Sequence, residues 1–293
     1  MIETFAQCPA KALFARVLDL ERFERPEELD EVAPNELGLL VHRVLETFYR
    51  RYAPSADAEK LLREVWEAEC AVTRKRVFVR HDVEWEVETA RILRALRRFL
   101  LEEDLPGLRD LAFEVLPEQR GETVIGGVRF RGILDRIVVA GGEARVDDYK
   151  WKSKVEKAER AALQGVGVQL PLYVRMAEGL LRDRDIAVDR LRARLILLKN
   201  FLRYSSLKEI TGEAPPRVES ELPEDFWARH GAEFEAKLAM LVKHLSAGRF
   251  FVRPDQHCAW CDFRLACRRS HVPAVRRAET DPAVADFWSH PPA

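Results

Sequence analysis

Two aspartates and a lysine near the middle of the chain have the spacing expected of a metal-assisted hydrolytic site. Asp135, Asp148 and Lys150 lie in the run GVRFRGILDRIVVAGGEARVDDYKWK, whose alternating β-branched residues are typical of β-strands. Gly141-Gly142 predicts a two-residue hairpin turn, because both turn positions can take positive φ. Such a turn pairs residues whose numbers add up to 283, as those of Asp135 and Asp148 do. We therefore expect the two carboxylates to lie opposite each other, with Cβ atoms about 5 Å apart.

Two opposed carboxylates repel each other unless a cation lies between them. Mg²⁺ is the natural candidate, since it prefers oxygen ligands and commonly binds through one or two carboxylates. Lys150 follows Asp148 by two residues and so shares its face of the strand. Asp147 is the alternative to Asp148, but strand alternation points it to the opposite face. The sequence therefore predicts a divalent cation site with a lysine beside it.

Helices on both sides of this hairpin carry further polar candidates. Residues 36 to 52 have the apolar spacing of an amphipathic helix, and His42 lies at the edge of its apolar stripe. His42 is either an ordinary helix histidine or a metal ligand, and imidazole suits Mn²⁺ better than Mg²⁺. In a helix over 164 to 182, Gln169 and Tyr173 share a face. Either they form hydrogen bonds at the site, or they only cap the helix, whose first turn contains Pro171. Glu114 is either a further carboxylate of the site or an exposed strand residue.

Four cysteines form a second candidate site that joins the two ends of the chain. Cys258, Cys261 and Cys267 follow the pattern C-x2-C-x5-C, and Cys8 lies near the N-terminus. Four thiolates can bind Zn²⁺ or a [4Fe–4S] cluster, and ligand chemistry alone does not choose between them. Either would close a loop of about 250 residues, which in theory removes much unfolded-state entropy. Cys70 has no place in this pattern, and a packing role in a helix is expected for it.

Composition sets outer limits on the function. The chain has 293 residues, with 48 basic and 49 acidic side chains, which excludes a polybasic tail but not a local basic groove for phosphates. There is no signal segment and no apolar run of about 18 residues, so a cytoplasmic protein without a membrane partner is expected. Five cysteines in a chain of this length do not indicate a secreted disulfide scaffold. The phosphate-loop pattern GxxxxGK[ST] of ATPases is absent from the sequence.

In their order and spacing these motifs resemble the PD-(D/E)xK nuclease superfamily, and in particular its RecB-like branch. The resemblance rests on Gly38-x-x-x-His42, on Asp135 followed by Asp148-x-Lys150, on the run Gln169 to Tyr173, and on the split cysteines. It implies an α/β fold with a restriction-endonuclease-like core, in which helices flank a mixed central sheet. The expected organisation is one nuclease domain over 1–270, with a helical insertion at 53–108 and the cysteine segment at 250–270. A C-terminal tail, 271–293, would follow.

The resemblance also implies an activity. It suggests a Mg²⁺- or Mn²⁺-dependent deoxyribonuclease, an exonuclease on DNA ends or single strands, acting in DNA repair and recombination as AddB-type nuclease domains do. The implied metal ligands are His42, Asp135, Asp148 and the backbone carbonyl of Tyr149, and the other catalytic residues are Lys150, Gln169 and Tyr173. In the resembled family the split cysteines hold a [4Fe–4S] cluster. DNA is then the expected substrate and a helicase subunit or domain a partner. The alternatives are a CRISPR-adaptation RecB-like exonuclease and a non-catalytic DNA-binding module that keeps the fold.

Overall fold

A mixed five-stranded sheet forms the centre of the protein. The computed structural model describes residues 1–20, 32–79, 81–108, 113–202 and 219–289. The strands are β1 (Phe113–Ile125), β2 (Val128–Ala140), β3 (Glu143–Lys150), β4 (Arg190–Leu197) and β5 (Glu219–Leu222), and they lie side by side in this order. The β3–β4 pair is parallel and the other neighbours are antiparallel. Helices flank this sheet, as the sequence predicts for a restriction-endonuclease-like α/β core.

Glycine pairs make both hairpin turns of the sheet. Gly141 and Gly142 have φ of 58° and 81°, so both lie in the left-handed region that a two-residue turn of this kind requires. The turn sets the predicted register of β2 and β3: Arg136 pairs with Asp147, and the residue numbers of every pair between there and the turn add up to 283. Gly126 and Gly127 form the same turn between β1 and β2, with φ of 56° and 77°.

The helices agree with the apolar patterns of the sequence, apart from one break. They are α1 (Ile2–Gln7), α2 (Pro9–Ala12), α3 (Pro34–Arg51), α4 (Ala58–Arg74), α5 (Asp82–Arg97), α6 (Leu105–Leu108), α7 (Ala158–Gln164), α8 (Gln169–Arg182), α9 (Phe226–Ser246), α10 (Val272–Thr280) and α11 (Ala285–Trp288). Two π-helical segments, Leu13–Val17 and Arg98–Asp104, continue α2 and α5, and short 3₁₀ segments cover Leu198–Leu202, Gln256–Trp260 and Pro282–Val284. The single first helix expected from the sequence is interrupted at Cys8, whose φ of −159° is extended. None of the helices in the described ranges could cross a membrane.

Apolar side chains pack on both faces of the sheet. Helices α3, α4 and α5 cover one face, and their core includes Tyr149, Trp151 and Ile196 from the strand side. Helices α7, α8 and α9 cover the other face. A third cluster, around Phe5 and Phe287, joins α1 to α9 and to the C-terminal helices. The predicted insertion, 53–108, thus contains α4, α5 and α6, and the part of the predicted tail described here contains α10 and α11.

A buried ionic network ties the sheet to the helices of the first face. Arg136 is fully buried and donates two hydrogen bonds of 2.7 Å to Asp104, and it also binds Asp147 on the neighbouring strand. The hydroxyl of Tyr49 donates to Asp104 at 2.6 Å. Asp147 receives a further hydrogen bond of 2.6 Å from Arg194. Asp147 therefore lies on the face away from Lys150, and its function is structural. We call these residues the Arg136 network.

Candidate active site

Helix α3 and strand β2 bring His42 and Asp135 together. His42 Nδ1 lies 3.2 Å from Asp135 Oδ2. The same oxygen accepts a hydrogen bond of 2.8 Å from the backbone N–H of Tyr149, so Asp135 is fixed between α3 and β3. Burial by itself would lower the pKa of His42, but the hydrogen bond and the charge of Asp135 outweigh it and raise the pKa above its ordinary value. Asp135 is therefore an acceptor with two fixed partners.

Strand β1 adds a third ligand candidate, Glu118. One potential ligand atom each from His42, Glu118 and Asp135 lies within 4.8 Å of the other two. Glu118 has a φ of 50°, which is unusual for a residue other than glycine. The residues on either side of Glu118 pair with those on either side of Asp135 in the β1–β2 ladder, but Glu118 and Asp135 do not form a ladder pair themselves. Burial, followed by the negative charges of Asp135 and Glu46, raises the pKa of Glu118. Crowding of negative charge of this kind is typical of a site that binds a cation.

The sequence carries a signal for Glu118 in its other glycine pair, Gly126-Gly127. A turn at Gly126-Gly127 pairs residues whose numbers add up to 253, as those of Glu118 and Asp135 do. Glu114, which the sequence offered as the extra carboxylate, instead pairs with Val139 and is exposed. The third acid at the site is therefore Glu118, four residues further along the same strand.

Asp148, Lys150 and Gln169 form a chain of contacts beside these ligands. Lys150 Nζ lies 2.7 Å from Asp148 Oδ2 and donates a hydrogen bond of 3.0 Å to Gln169 Oε1. Asp148 is almost completely buried, and this burial is the largest cause that raises its pKa to about 6; the charge of Asp135 acts in the same direction and that of Lys150 opposes it. Tyr173 is also buried, one turn after Gln169 on α8, and burial together with the charges of the two aspartates raises its pKa.

Comparison with known protein families matches most of the chain to one of them. The family model of the PD-(D/E)XK nuclease superfamily matches residues 1–268. The chain belongs to the PD-(D/E)XK nuclease superfamily. No curated protein matches the chain with a significant score. Membership indicates a metal-dependent nuclease, and a nucleic acid as its substrate.

The residues at the site fit the divalent cation that such a nuclease uses. Two carboxylates and an imidazole converge, which is a donor set for Mg²⁺ or, with the imidazole, for Mn²⁺. Of the metal ligands expected from the sequence, His42 and Asp135 belong to this group. Asp148 contacts Lys150 instead, and Tyr149 takes part through its backbone N–H, so metal binding by these two residues stays a prediction.

Four of the five cysteines of the nuclease meet in one narrow pocket, which we call the thiol pocket. Cys8, Cys258, Cys261 and Cys267 all line it, although Cys8 lies at the other end of the chain. Basic side chains of Lys11, Arg264 and Arg269 also line this pocket, and they would offset the charge of several thiolates. Burial raises the pKa of the Cys8 thiol, although the backbone N–H groups of Arg253, Lys11 and Ala10 point at it and favour the thiolate. Cys70 lies apart, on α4, against the first core.

Proposed function

We propose that this protein is a Mg²⁺- or Mn²⁺-dependent deoxyribonuclease that hydrolyses phosphodiester bonds at DNA ends or in single strands. The observation that carries the proposal is the position of Lys150. Its ammonium group is held between Asp148 and Gln169, next to the convergent ligands His42, Glu118 and Asp135. A cation site beside a fixed ammonium group is the arrangement that phosphodiester hydrolysis needs, because the reaction places negative charge on the phosphate oxygens.

The side chains of the site have separate tasks in this mechanism. A bound divalent cation would lower the pKa of a water molecule and neutralise charge on the scissile phosphate. His42, Glu118 and Asp135 would hold the cation, together with Asp148 and the carbonyl of Tyr149. Lys150 orients the attacking water and stabilises the negative charge of the transition state. Gln169 fixes the ammonium group through its amide oxygen, and Tyr173 closes the buried side of the site.

A groove next to Lys150 supports a nucleic acid as the substrate. Lys150, at the end of β3, and Lys152 and Lys154, on the segment that follows it, line one side of the groove, and residues of α7 and α8 line the other. Its volume is about 490 Å³, enough for one or two nucleotides but not for a duplex. Lys152 and Lys154 are exposed and form no ion pair within the described ranges, so both are available to phosphates. We call this feature the lysine groove, and it favours a single strand at the site.

We extend the proposal to a [4Fe–4S] cluster and to an AddB-like role beside a helicase subunit or domain. Four thiols from both ends of the chain line one pocket, as such a cluster requires. Four thiolates would also suit a single zinc ion, so the choice of the cluster rests on the resemblance of the split cysteines to those of the iron–sulfur nucleases.

A nuclease assay tests the proposal directly. End-labelled single-stranded and double-stranded DNA is incubated with the protein in Mg²⁺, in Mn²⁺ and in EDTA. We expect cleavage that needs the cation, and its loss in Asp135→Ala and in Asp148→Asn without loss of fold. Full activity in either variant would overturn the site assignment. DNA binding without any cleavage under all conditions would identify a non-catalytic binding module instead.

A further inference from the structure

The N-terminal helix reaches the active site through one carboxylate, Glu3. Its Oε1 accepts a hydrogen bond of 2.9 Å from the backbone N–H of Val168, a residue 165 positions away. The backbone N–H of Gln169 also points at this carboxylate, and Glu3 lines the lysine groove together with Lys150 and Gln169. Burial, which is the largest effect, raises the pKa of Glu3, while these N–H groups and the charge of Lys150 oppose the rise.

Helix α8 depends on this contact, because its own sequence supplies no cap. Val168 precedes the helix, and no side chain near it accepts a hydrogen bond from the first turn. The first N–H groups of any helix have no partner within the helix, and a carboxylate there also interacts favourably with the helix dipole. Glu3 therefore does from the far end of the chain what a local Ser or Asp does at most helices.

The first residue of α8, Gln169, is the hydrogen-bond partner of the catalytic lysine, Lys150. Gln169 Oε1 accepts the hydrogen bond of 3.0 Å from Lys150 Nζ. A displacement of the first turn of α8 would move this acceptor, and Lys150 would keep only its contact with Asp148. Errors of about 1 Å in the position of a catalytic group can cost about 100-fold in rate.

Helices α1 and α2 are both fixed by the C-terminal segment that carries the cysteines. Arg253 donates a hydrogen bond of 3.0 Å to the carbonyl of Ala6, and Ala10 N–H donates to the carbonyl of Phe251 at 3.0 Å. Cys8, directly after α1, lines the thiol pocket. On its other side α1 packs against the turn between α7 and α8, where a side chain on Gly165 would meet Ala6 Cβ at 3.3 Å.

We infer that Glu3 is a positioning residue, which anchors the start of α8 and so holds Gln169 against Lys150, and that it links the thiol pocket to the active site. The inference rests on the proposed nuclease function. Glu3 itself does not touch the reacting atoms in this view; it acts through Gln169. Because Glu3 lies on α1 and Cys8 directly follows this helix, changes at the thiol pocket reach the catalytic lysine by this route.

The test compares Glu3→Ala, Glu3→Gln and the exposed control Glu279→Ala in single-turnover cleavage of single-stranded DNA. We expect Glu3→Ala to cut about 10- to 100-fold more slowly, with no loss of DNA affinity in Ca²⁺, since the change removes a negative charge from the lysine groove. Glu3→Gln keeps an acceptor for the N–H groups and should recover most of the rate, and Glu279→Ala should match the wild type. A wild-type rate in Glu3→Ala would overturn the inference. So would a loss of fold or of bound metal in Glu3→Gln, because Glu3 would then support the whole structure.

A double-mutant cycle and an exchange measurement complete the test. If Glu3 acts through Gln169, Glu3→Ala should cost little more in a Gln169→Ala background; losses that multiply would show independent action and refute the inference. Hydrogen exchange at the first turn of α8 should be faster in Glu3→Ala, and this readout needs no activity. Faster exchange in a protein whose wild type cuts no DNA would refute the nuclease proposal while leaving the anchoring by Glu3 intact.

Discussion

Glu118→Gln should stabilise the protein without metal and destabilise it with metal. In the absence of a cation, ligand oxygens of Glu118 and Asp135 lie within 4.8 Å of each other and repel. At an effective dielectric constant of about 20, a separation of about 4.8 Å corresponds to a repulsion of about 3.5 kcal/mol, and the half-exposed position of Glu118 reduces it to about 1 kcal/mol. The amide removes one negative charge, so the variant should be more stable than the wild type in EDTA by about 1 kcal/mol.

A bound cation should reverse this order. The loss of a direct ligand should weaken Mn²⁺ binding at least about 100-fold, since even outer partners of metal ligands contribute about 10- to 100-fold. At a Mn²⁺ concentration of about 100 times the wild-type Kd, the wild type gains about 2.7 kcal/mol and the variant only about 0.4 kcal/mol. After the advantage of about 1 kcal/mol in EDTA is subtracted, the variant is less stable by about 1.3 kcal/mol in Mn²⁺.

Thermal unfolding in EDTA and over a Mn²⁺ titration measures both effects, at about 2 °C for each kcal/mol in a protein of this size. Glu114→Gln is the matched control, because Glu114 lies on the same strand and is exposed. It should follow the wild type in both conditions. If Glu118→Gln shifts with Mn²⁺ as much as the wild type does, Glu118 is not a ligand; if the control shows the same reversal, the effect is one of general charge.

Four further outcomes are expected. Lys150→Ala should lower the single-turnover rate far more than DNA affinity, because its charge acts on the transition state; weaker binding with an unchanged rate would reassign it to phosphate contact. The double variant Lys152→Ala with Lys154→Ala should do the reverse, weakening binding and lowering the slope of log K against log salt by up to about 1.4 for a single strand. Cys8→Ala should lose bound metal and unfold at a lower temperature than the wild type. Elemental analysis of the wild type should find about four iron atoms per chain; one zinc atom and no iron would show that the site is a structural zinc site. Arg136→Met should destabilise the protein by about 3 kcal/mol at pH 7, because the buried carboxylates of Asp104 and Asp147 lose their shared partner. The pKa of each of these carboxylates is lowered in the folded protein, so their protonation at low pH removes the stability that Arg136 confers. The difference in stability between the two proteins should therefore shrink as the pH falls below about 4. Denaturant unfolding of both proteins between pH 7 and pH 3 checks the last outcome, and a constant difference would contradict it.

The sequence determined those parts of the site that depend on local rules. The Gly141-Gly142 turn sets the β2–β3 register, and strand alternation then separates Asp148 from Asp147, which the structure places among different partners. The amphipathic pattern of α3 put His42 at the edge of its apolar face. Each of these inferences needs only a turn type or a repeat of a few residues, and such short-range rules act within any fold.

Other contacts arise only when distant segments pack together. Asp104 meets Arg136 from a π-helical segment 32 residues away, and no periodicity in the sequence marks that encounter. The Gly126-Gly127 turn sets Glu118 opposite Asp135, but the φ of 50° that Glu118 adopts there is not favoured by its residue type, so packing of β1 imposes it. Glu3 caps a helix that begins about 165 residues further along the chain, because α1 is fixed against the turn before α8. The residue types limited what the site could bind, but the tertiary packing decided which carboxylates reach it, since the energy that holds them there comes from contacts far along the chain.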